Sequence, residues 1–185
     1  SVDESIKKGN KHMINEDVLN DIVIKLSENG ETLDTDEFER LLKKDEESID
    51  EVLVSLARTA KEKAFAPHSD FPVGAALLTE QGIYLGGNVE VSGRSTSVHA
   101  EMLAAYNAAF EGAEEFQAMS VSTPRQCADT GPCGLCQHTL SQFTDELRII
   151  EDGGEDEHGI FYLSELIGDG YSASTRHPEY VNDKS

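Results

Sequence analysis

Basic residues are scarce in this chain of 185 residues, where 15 Lys and Arg stand against 36 Asp and Glu. The formal net charge is −21 and the pI is about 4.4. Nucleic-acid surfaces need Lys and Arg for their phosphate contacts, so this composition strongly disfavours such a surface. We hypothesise that the acid excess reflects life in high salt, where screening removes self-repulsion. A melting temperature that does not rise with added salt would contradict this hypothesis.

Cysteine is also scarce, and its three copies all lie within the short span Cys127–Cys136. This clustering indicates a local metal site rather than a disulfide framework, and it suits a reducing cytoplasm. The chain has no apolar run long enough to span a membrane, and its charged first residues lack the apolar stretch of a signal peptide. We therefore expect a cytoplasmic protein.

The length fits one ordinary domain with an appendage. Residues 1–13 are compatible with an expression scar ahead of a natural start at Met13, so they are left out of the fold prediction. The pattern over residues 15–26 predicts an amphipathic helix, and a second short helix is expected after Thr35. We predict a helical N-terminal extension over residues 1–47 and a main domain over residues 48–185.

The main domain begins with a helix whose capping box is Ser48–Glu51. Alternating helical and strand patterns follow. The predicted strands are 71–79, 83–88, 118–123, 147–151 and 159–163, and the predicted helices begin after Ser48, Val98, Pro132 and Tyr162. Gly86-Gly87 indicates a close backbone approach by a ligand or another chain. This order predicts a three-layer α/β/α fold with a mixed five-stranded sheet.

Two motifs open two of these helices, His99-Ala100-Glu101 and Pro132-Cys133-Gly134-Leu135-Cys136. The two cysteines are spaced i and i+3, on one helix face, and the positive end of a helix lowers a cysteine's pKa toward the thiolate. Zinc takes nitrogen and thiolate ligands in tetrahedral sites, and a catalytic site leaves the fourth position for water. We predict one zinc ion held by His99, Cys133 and Cys136, with Glu101 serving that water.

Other interpretations of these motifs remain open. A Cys-x-x-Cys pair alone is also found in redox-active and structural sites. Cys127 as a fourth ligand would close the zinc site and make it structural, and a Cys127–Cys133 disulfide is a further alternative. A Cys127→Ser variant that lost zinc would favour the closed site.

Four stretches in the span 48–170 resemble the free-nucleoside cytidine deaminases: 66–77, 87–90, 99–101 and 132–136. The last two form the known signature of zinc base deaminases, whereas the first two are far narrower. The resemblance implies the cytidine deaminase fold and a catalytic domain over residues 48–185. It also implies hydrolytic deamination of cytidine and 2′-deoxycytidine to uridine and 2′-deoxyuridine, with release of ammonia, in pyrimidine salvage. The resemblance further implies one zinc ion per subunit and proton transfer by Glu101.

The same resemblance implies the substrate contacts. Phe71 would stack on the pyrimidine, Asn88 and Glu90 would hydrogen-bond the ribose hydroxyls, and the backbone at Ala100 and Cys133 would contact the base edge. These roles suit the residue types, because a phenyl ring offers an apolar face and an amide with a carboxylate offers directional partners for a diol. The alternatives are that Phe71 packs in the core, Asn88 serves a turn and Glu90 is merely solvated.

Several positions depart from the family pattern. Many short members have Cys where His99 stands and Arg where Met102 stands. The two departures agree, because one fewer thiolate needs no compensating Arg. His-Ala-Glu resembles the larger, two-subunit members, whereas a single core's length fits the tetrameric ones, so a homotetramer is favoured over a dimer. His68 and Gln137 stand where the family often has Tyr and Arg, and no role is transferred to them.

Three other functions are compatible with this sequence. The same site could act on a modified nucleoside, a nucleotide or a nucleoside antibiotic. A structural-zinc module whose N-terminal extension docks a partner is an alternative of another class. A polynucleotide editor is the weakest, because no basic groove or aromatic ladder is visible. We expect a small-molecule nucleoside substrate, with no nucleic acid and no membrane as partner.

Overall fold

A computed structural model describes residues 32–34, 49–92, 96–125, 131–144, 146–155 and 158–167. The helices predicted over 15–26 and after Thr35, the Ser48 cap and Cys127 lie outside the described residues. The described strands are β1 (Thr32–Asp34), β2 (Gly74–Thr79), β3 (Gly82–Gly87), β4 (Phe116–Ser122), β5 (Arg148–Glu151) and β6 (Gly159–Tyr162). The described helices are α1 (Ile49–Glu62), α2 (Ala100–Glu111), α3 (Gly134–Leu140) and α4 (Leu163–Leu166).

The described strands form one mixed sheet in the order β1-β3-β2-β4-β5-β6. β4 and β5 run parallel, and the other neighbours are antiparallel. All five predicted strands are present. The additional strand β1 lies within the N-terminal extension and pairs with the edge of β3, with Thr32 opposite Tyr84. The carboxyl ends of the parallel pair β4 and β5 meet at one edge of the sheet, where α/β folds place their binding sites.

Helices cover both faces of the sheet, which confirms the three-layer α/β/α prediction. The apolar stripe of α1, including Leu53 and Leu56, packs on one face with Ile83 and Ile150. On the other face, the alanines of α2 pack with Leu140 of α3 and Ile149 of β5. Small side chains let α2 lie close to the sheet, so the residues at its start are held against the strand ends.

The close approach predicted at Gly86 comes from helix α2 of the same chain. A Cβ on Gly86 would lie 2.2 Å from the carbonyl oxygen of Ala100 and 2.6 Å from the nitrogen of Ala104. Any side chain at this position would push α2 away from β3. Gly86 therefore helps to fix the position of the first turn of α2, which carries Glu101.

The first strand of the hairpin begins later than predicted, at Gly74 instead of Phe71. Pro72 lacks a backbone donor, and the Val73 N–H and the Phe71 carbonyl on either side of it hydrogen-bond to the side chain of Asn88. The backbone N–H of Asn88 also donates to the carbonyl of Val73. Phe71 is thereby left in a loop beside the sheet edge. None of the helices among the described residues is long and apolar enough to cross a membrane.

Candidate zinc site and substrate cavity

The three predicted zinc ligands lie at two helix starts. His99 is the N-cap residue of α2 and Cys133 is the N-cap residue of α3, both with extended backbone (φ −78°, ψ 156° and φ −65°, ψ 159°). Cys136 lies in the first turn of α3 and is fully buried. Extended backbone at an N-cap directs the side chain across the helix end, so both helix starts turn their ligand atoms toward one point.

The ligand atoms are spaced as a tetrahedral zinc ion requires. Nδ1 of His99 lies 3.4 Å from Sγ of Cys133 and 3.3 Å from Sγ of Cys136. All three ligand atoms lie within 4.8 Å of one another. With Zn–N near 2.0–2.1 Å and Zn–S near 2.3 Å, a tetrahedral ion separates nitrogen from sulfur by about 3.6 Å. The donor set of one imidazole and two thiols therefore fits zinc in both chemistry and spacing.

The charges around Cys136 also fit a bound cation. Burial raises the pKa of the Cys136 thiol, and the nearby Glu101 carboxyl and Cys133 sulfur raise it further. For the free thiol, burial and two acidic neighbours outweigh the helix end, so the pKa of Cys136 lies above its usual value and not below it. A divalent cation is the group that offsets such a concentration of acids and stabilises the thiolate.

A cavity of about 480 Å³ adjoins the ligands. Two of the ligands and all the other predicted site residues line it: His99, Cys133, Glu101, Ala100, Phe71, Asn88 and Glu90. Glu101 is only 6 % exposed, which suits an acid that works away from bulk water. The structure thus brings all the predicted site residues together around one space, with Cys136 behind its wall.

Asn88 is buried, and its side chain hydrogen-bonds to the loop that carries Phe71. Its Oδ1 accepts a hydrogen bond from the backbone N–H of Val73 at 2.7 Å, and its Nδ2 donates to the carbonyl of Phe71 at 3.1 Å. The side chain therefore has a structural task besides the ribose contact that the sequence suggested. One N–H of the amide is left over for a ligand.

Glu90 organises the same loop from its other end. Its Oε2 accepts hydrogen bonds from the N–H groups of His68 and Ser69 at 2.9 and 3.0 Å, and its Oε1 accepts one from the Ser69 hydroxyl. The Ser69 hydroxyl and these N–H groups lower the pKa of Glu90. Glu90 is therefore an ionised, loop-binding carboxylate at the cavity, and the alternative of a merely solvated side chain does not hold.

Phe71 lines the cavity, and the guanidinium group of Arg125 lies over its ring. The guanidinium carbon of Arg125 lies 5.6 Å from the ring centroid, within the range of a cation–π contact. Phe71 is only partly buried, so it is not a core residue. The ring is therefore part of the cavity surface.

Sequence reasoning missed two charged residues of the cavity wall, Arg125 and Glu151. Arg125 stands next to Pro124 in the loop that follows β4, and no motif marks it. Glu151 had a weak signal, because a charged residue at the carboxyl end of a buried strand is a typical site position in parallel pairs. Val121, its neighbour across β4 and β5, lines the same wall.

Comparisons with known proteins agree with this geometry. The family model described as the cytidine and deoxycytidylate deaminase zinc-binding region matches residues 47–150. The cytidine deaminase of Sporosarcina psychrophila is 39 % identical over 94 residues, which cover 50 % of this chain and 68 % of that protein. The cytidine deaminase of Shewanella oneidensis is 31 % identical over 141 residues, covering 74 % of this chain and 45 % of that protein.

Solved structures are similar as well. The crystal structure of a cytidine deaminase from Burkholderia pseudomallei superposes with a TM-score of 0.59 at 30 % identity, covering 63 % of this chain and 94 % of that one. A cytidine deaminase from Mycobacterium tuberculosis gives a TM-score of 0.57 at 25 % identity, covering 66 % and 97 %.

The fold and the donor set together define a three-layer α/β/α protein with a zinc site. The family model matches more than half of the chain, and the superposed structures share its sheet and helices. The chain belongs to the cytidine and deoxycytidylate deaminase family.

Proposed function

We propose that this protein deaminates cytidine and 2′-deoxycytidine to uridine and 2′-deoxyuridine and releases ammonia. The observation that carries the proposal is the meeting of a zinc donor set with a buried carboxyl group, Glu101, at one cavity of nucleoside size. We further propose that residues 48–185 form the catalytic domain and that residues 1–47 are an extension of it.

The reaction replaces the amino group at C4 of the pyrimidine by oxygen from water. Zinc, when held by His99, Cys133 and Cys136, supplies a water of lowered pKa. Glu101 takes a proton from the attacking water and delivers it to N3 of the base. The water oxygen bonds to C4. Glu101 then takes the second proton from that oxygen and passes it to the amine, so that the C4–N bond breaks, C4=O forms and ammonia leaves. Its burial keeps Glu101 out of exchange with bulk water between the two transfers.

The remaining cavity residues hold the nucleoside. Phe71 stacks on the pyrimidine, Asn88 and Glu90 bind the ribose hydroxyls, and the free N–H groups at the start of α2, at Ala100, face the base edge. Asn88 and Glu90 also fix the 66–73 loop, so each of them supports binding twice. The ionised Glu90 and the chain's formal charge of −21 oppose a phosphate, which favours a nucleoside over a nucleotide.

A homotetramer is the assembly that we propose for this enzyme. Apolar side chains are exposed to solvent near the 66–73 loop, with Phe65 58 %, Val89 39 % and Val91 44 % accessible. Phe65 and Val89 form a strand-like bridge, so their side chains belong to one ordered surface. An ordered apolar surface of this kind suits contact with another subunit. Light scattering after gel filtration measures the subunit number, and a monomer would contradict the proposal.

Ammonia release from cytidine tests the function directly. We expect release by the zinc-loaded protein, loss of release after chelation, and recovery on adding zinc. Glu101→Gln should keep one zinc per chain while kcat falls by at least about 10²–10⁴-fold, the usual contribution of general acid–base catalysis. Glu111→Gln, at the exposed far end of the same helix, is the matched control and should leave kcat unchanged. Near-normal turnover by Glu101→Gln would refute the mechanism.

Cytosine, CMP and base-modified nucleosides assayed in parallel define the substrate class. We expect cytidine and deoxycytidine to react far faster than free cytosine, which lacks the ribose that Asn88 and Glu90 bind, and faster than CMP. Preference for CMP or for a modified nucleoside would replace the proposed substrate and leave the reaction type intact.

A further inference from the structure

Glu151 is a second buried carboxyl group in the cavity wall, and the proposed chemistry does not use it. It ends β5, where it pairs with Val121 of β4, and it is 3 % exposed. Side chains alternate along a strand, so Glu151 lies on the same face as Ile149, the face that α2 and α3 cover. The start of α2 carries Glu101 on that face. Glu151 therefore belongs to the zinc end of the cavity.

Unlike the next residue, Asp152, Glu151 lacks hydrogen-bond donors among the described residues. Asp152 points to the opposite face, where it accepts hydrogen bonds from Arg58, Ser122 and the N–H of Gly154. Within the described parts of the chain, no group donates a hydrogen bond to the side chain of Glu151. Burying a carboxyl group without a partner is costly, so such a group in a cavity wall indicates a partner that arrives with the ligand.

Electrostatic interactions locate this group near the reacting end. Burial raises the pKa of Glu151 to about 8, and the Glu101 carboxyl and Asp152 contribute to the rise. Glu90, at the loop end of the cavity, has no such influence on it. The carboxyl group of Glu151 is thus electrostatically coupled to Glu101, the acid that serves the base.

We propose that Glu151 is a catalytic residue that accepts a hydrogen bond from the exocyclic amino group of the pyrimidine and holds the nitrogen as it leaves. The inference rests on the proposed function. The amino group has two N–H donors, which need acceptors in a dry cavity. While Glu101 protonates the amine and the C4–N bond breaks, the nitrogen gains positive charge, and an acceptor beside it becomes a stronger partner. Glu151 transfers no proton in this step, and the amine leaves as ammonia.

A pair of nearly isosteric variants tests this role. Glu151→Gln keeps an acceptor oxygen, whereas Glu151→Met fills the same space without one. We expect Glu151→Met to lower kcat/KM for cytidine by about 10–100-fold, mostly through kcat, and Glu151→Gln to stay within about fivefold of the wild type.

The discriminating readout is the binding of pyrimidin-2-one ribonucleoside, which is cytidine without its amino group. Because this analogue lacks the donor that Glu151 binds, its dissociation constant should change less than about threefold in Glu151→Met. Equal losses for cytidine turnover and analogue binding would mean that Glu151 only shapes the wall, and unchanged turnover would mean that it plays no part. Either result would overturn the proposal.

Folding and zinc loading are checked alongside. Each variant should unfold cooperatively and hold one zinc per chain, and Glu151→Leu, which also lacks an acceptor, replaces Glu151→Met if that variant does not fold. If the wild type released ammonia from cytidine but the acceptor-free variant matched it, only the role of Glu151 would fall. If the wild type released none, the proposed function would fall with it.

Discussion

The side-chain amide of Asn88 bridges the backbone on both sides of Pro72, accepting from Val73 N–H at 2.7 Å and donating to the carbonyl of Phe71 at 3.1 Å. Through this bridge a buried side chain at the end of β3 sets the position of the aromatic ring that lines the cavity. The relationship couples loop geometry to substrate binding.

Asn88→Ala should therefore weaken both stability and binding. Two backbone groups lose their partners inside the fold, which costs about 1–3 kcal/mol for each group left unsatisfied. The loop that carries Phe71 loses its anchor, so we expect KM for cytidine to rise at least tenfold. Urea unfolding and steady-state kinetics measure the two effects.

Asn107 provides the matched control for this prediction. Its Nδ2 donates to the carbonyl of Leu85 at 3.1 Å from the middle of α2, away from the cavity. Asn107→Ala should lower stability by about 1 kcal/mol and leave KM unchanged. A KM that rose equally in both variants would show that general loosening, and not the Phe71 loop, governs binding.

Asn88 and Glu90 illustrate what sequence reasoning reached and what it did not. The motif placed both residues at the substrate cavity, and the structure brings them there. Their hydrogen bonds to the 66–73 loop could not be predicted, because they join residues 15 to 22 positions apart and depend on how the loop folds back. The strand pattern likewise placed the start of the first hairpin strand at Phe71, three residues before its start at Gly74.

Glu90→Gln separates the loop contact from the proposed ribose contact. An amide has one acceptor oxygen where the carboxylate has two, so the loop contacts to Ser69 and His68 should weaken. If Glu90 also binds the ribose, the loss in kcat/KM should be several-fold larger for cytidine than for 2′,3′-dideoxycytidine, which lacks those hydroxyls. Parallel kinetics with both nucleosides measure this difference.

Ser69→Ala is the control for the Glu90 experiment, because it weakens the loop contact and leaves the carboxylate in place. It should reduce kcat/KM by the same factor for both nucleosides. A loss in Glu90→Gln that was also the same for both would assign Glu90 to the loop alone.

Serine variants of the cysteines test whether Cys127, which lies outside the described residues, takes part in zinc binding. The three ligand atoms of His99, Cys133 and Cys136 already meet within 4.8 Å, so we expect Cys127→Ser to retain one zinc per chain and normal activity. Cys136→Ser should lose zinc and melt at a lower temperature, because metal binding stabilises the fold that holds it. Elemental analysis and thermal melting provide the readouts. Zinc loss in Cys127→Ser would mean a closed, structural site.

The zinc ligands and both helix starts were predictable because they depend on local spacing. Cys133 and Cys136 are i and i+3 at the start of one helix, and His99 is at the start of another. The other charged residues of the cavity wall were not predictable in this way. Glu151 enters the cavity only because β5 pairs in parallel with β4, so that the carboxyl ends of both strands meet. Arg125 reaches Phe71 across 54 positions of sequence, which no local pattern could indicate. Long-range pairing therefore supplied the parts of the site that sequence patterns missed.

An ion pair on the other face of the sheet should control acid stability. Nε and Nη2 of Arg58 donate to the carboxylate of Asp152 at 2.8 and 2.6 Å, and Asp152 is almost fully buried. Burial alone would raise the pKa of Asp152, but the hydrogen bonds from Arg58, Ser122 and Gly154 outweigh it and lower the pKa to about 2. A carboxyl group with a depressed pKa stabilises the fold above its unfolded pKa, near 3.9, and loses that contribution as the pH falls toward 2.

We therefore expect Asp152→Asn to be less stable than the wild type by about 2 kcal/mol at pH 7, with the difference shrinking between about pH 4 and pH 2. Asp50→Asn breaks the ion pair between Asp50 and Arg148, in which both side chains are about 30 % exposed. This variant should lose less than about 1 kcal/mol of folding stability, because solvent screens exposed pairs. Urea titrations of the wild type and both variants at pH 7, 4 and 2.5 measure these free energies. A stability difference for Asp152→Asn that stayed constant over this range would show that the aspartate contributes through packing, and not through its charge.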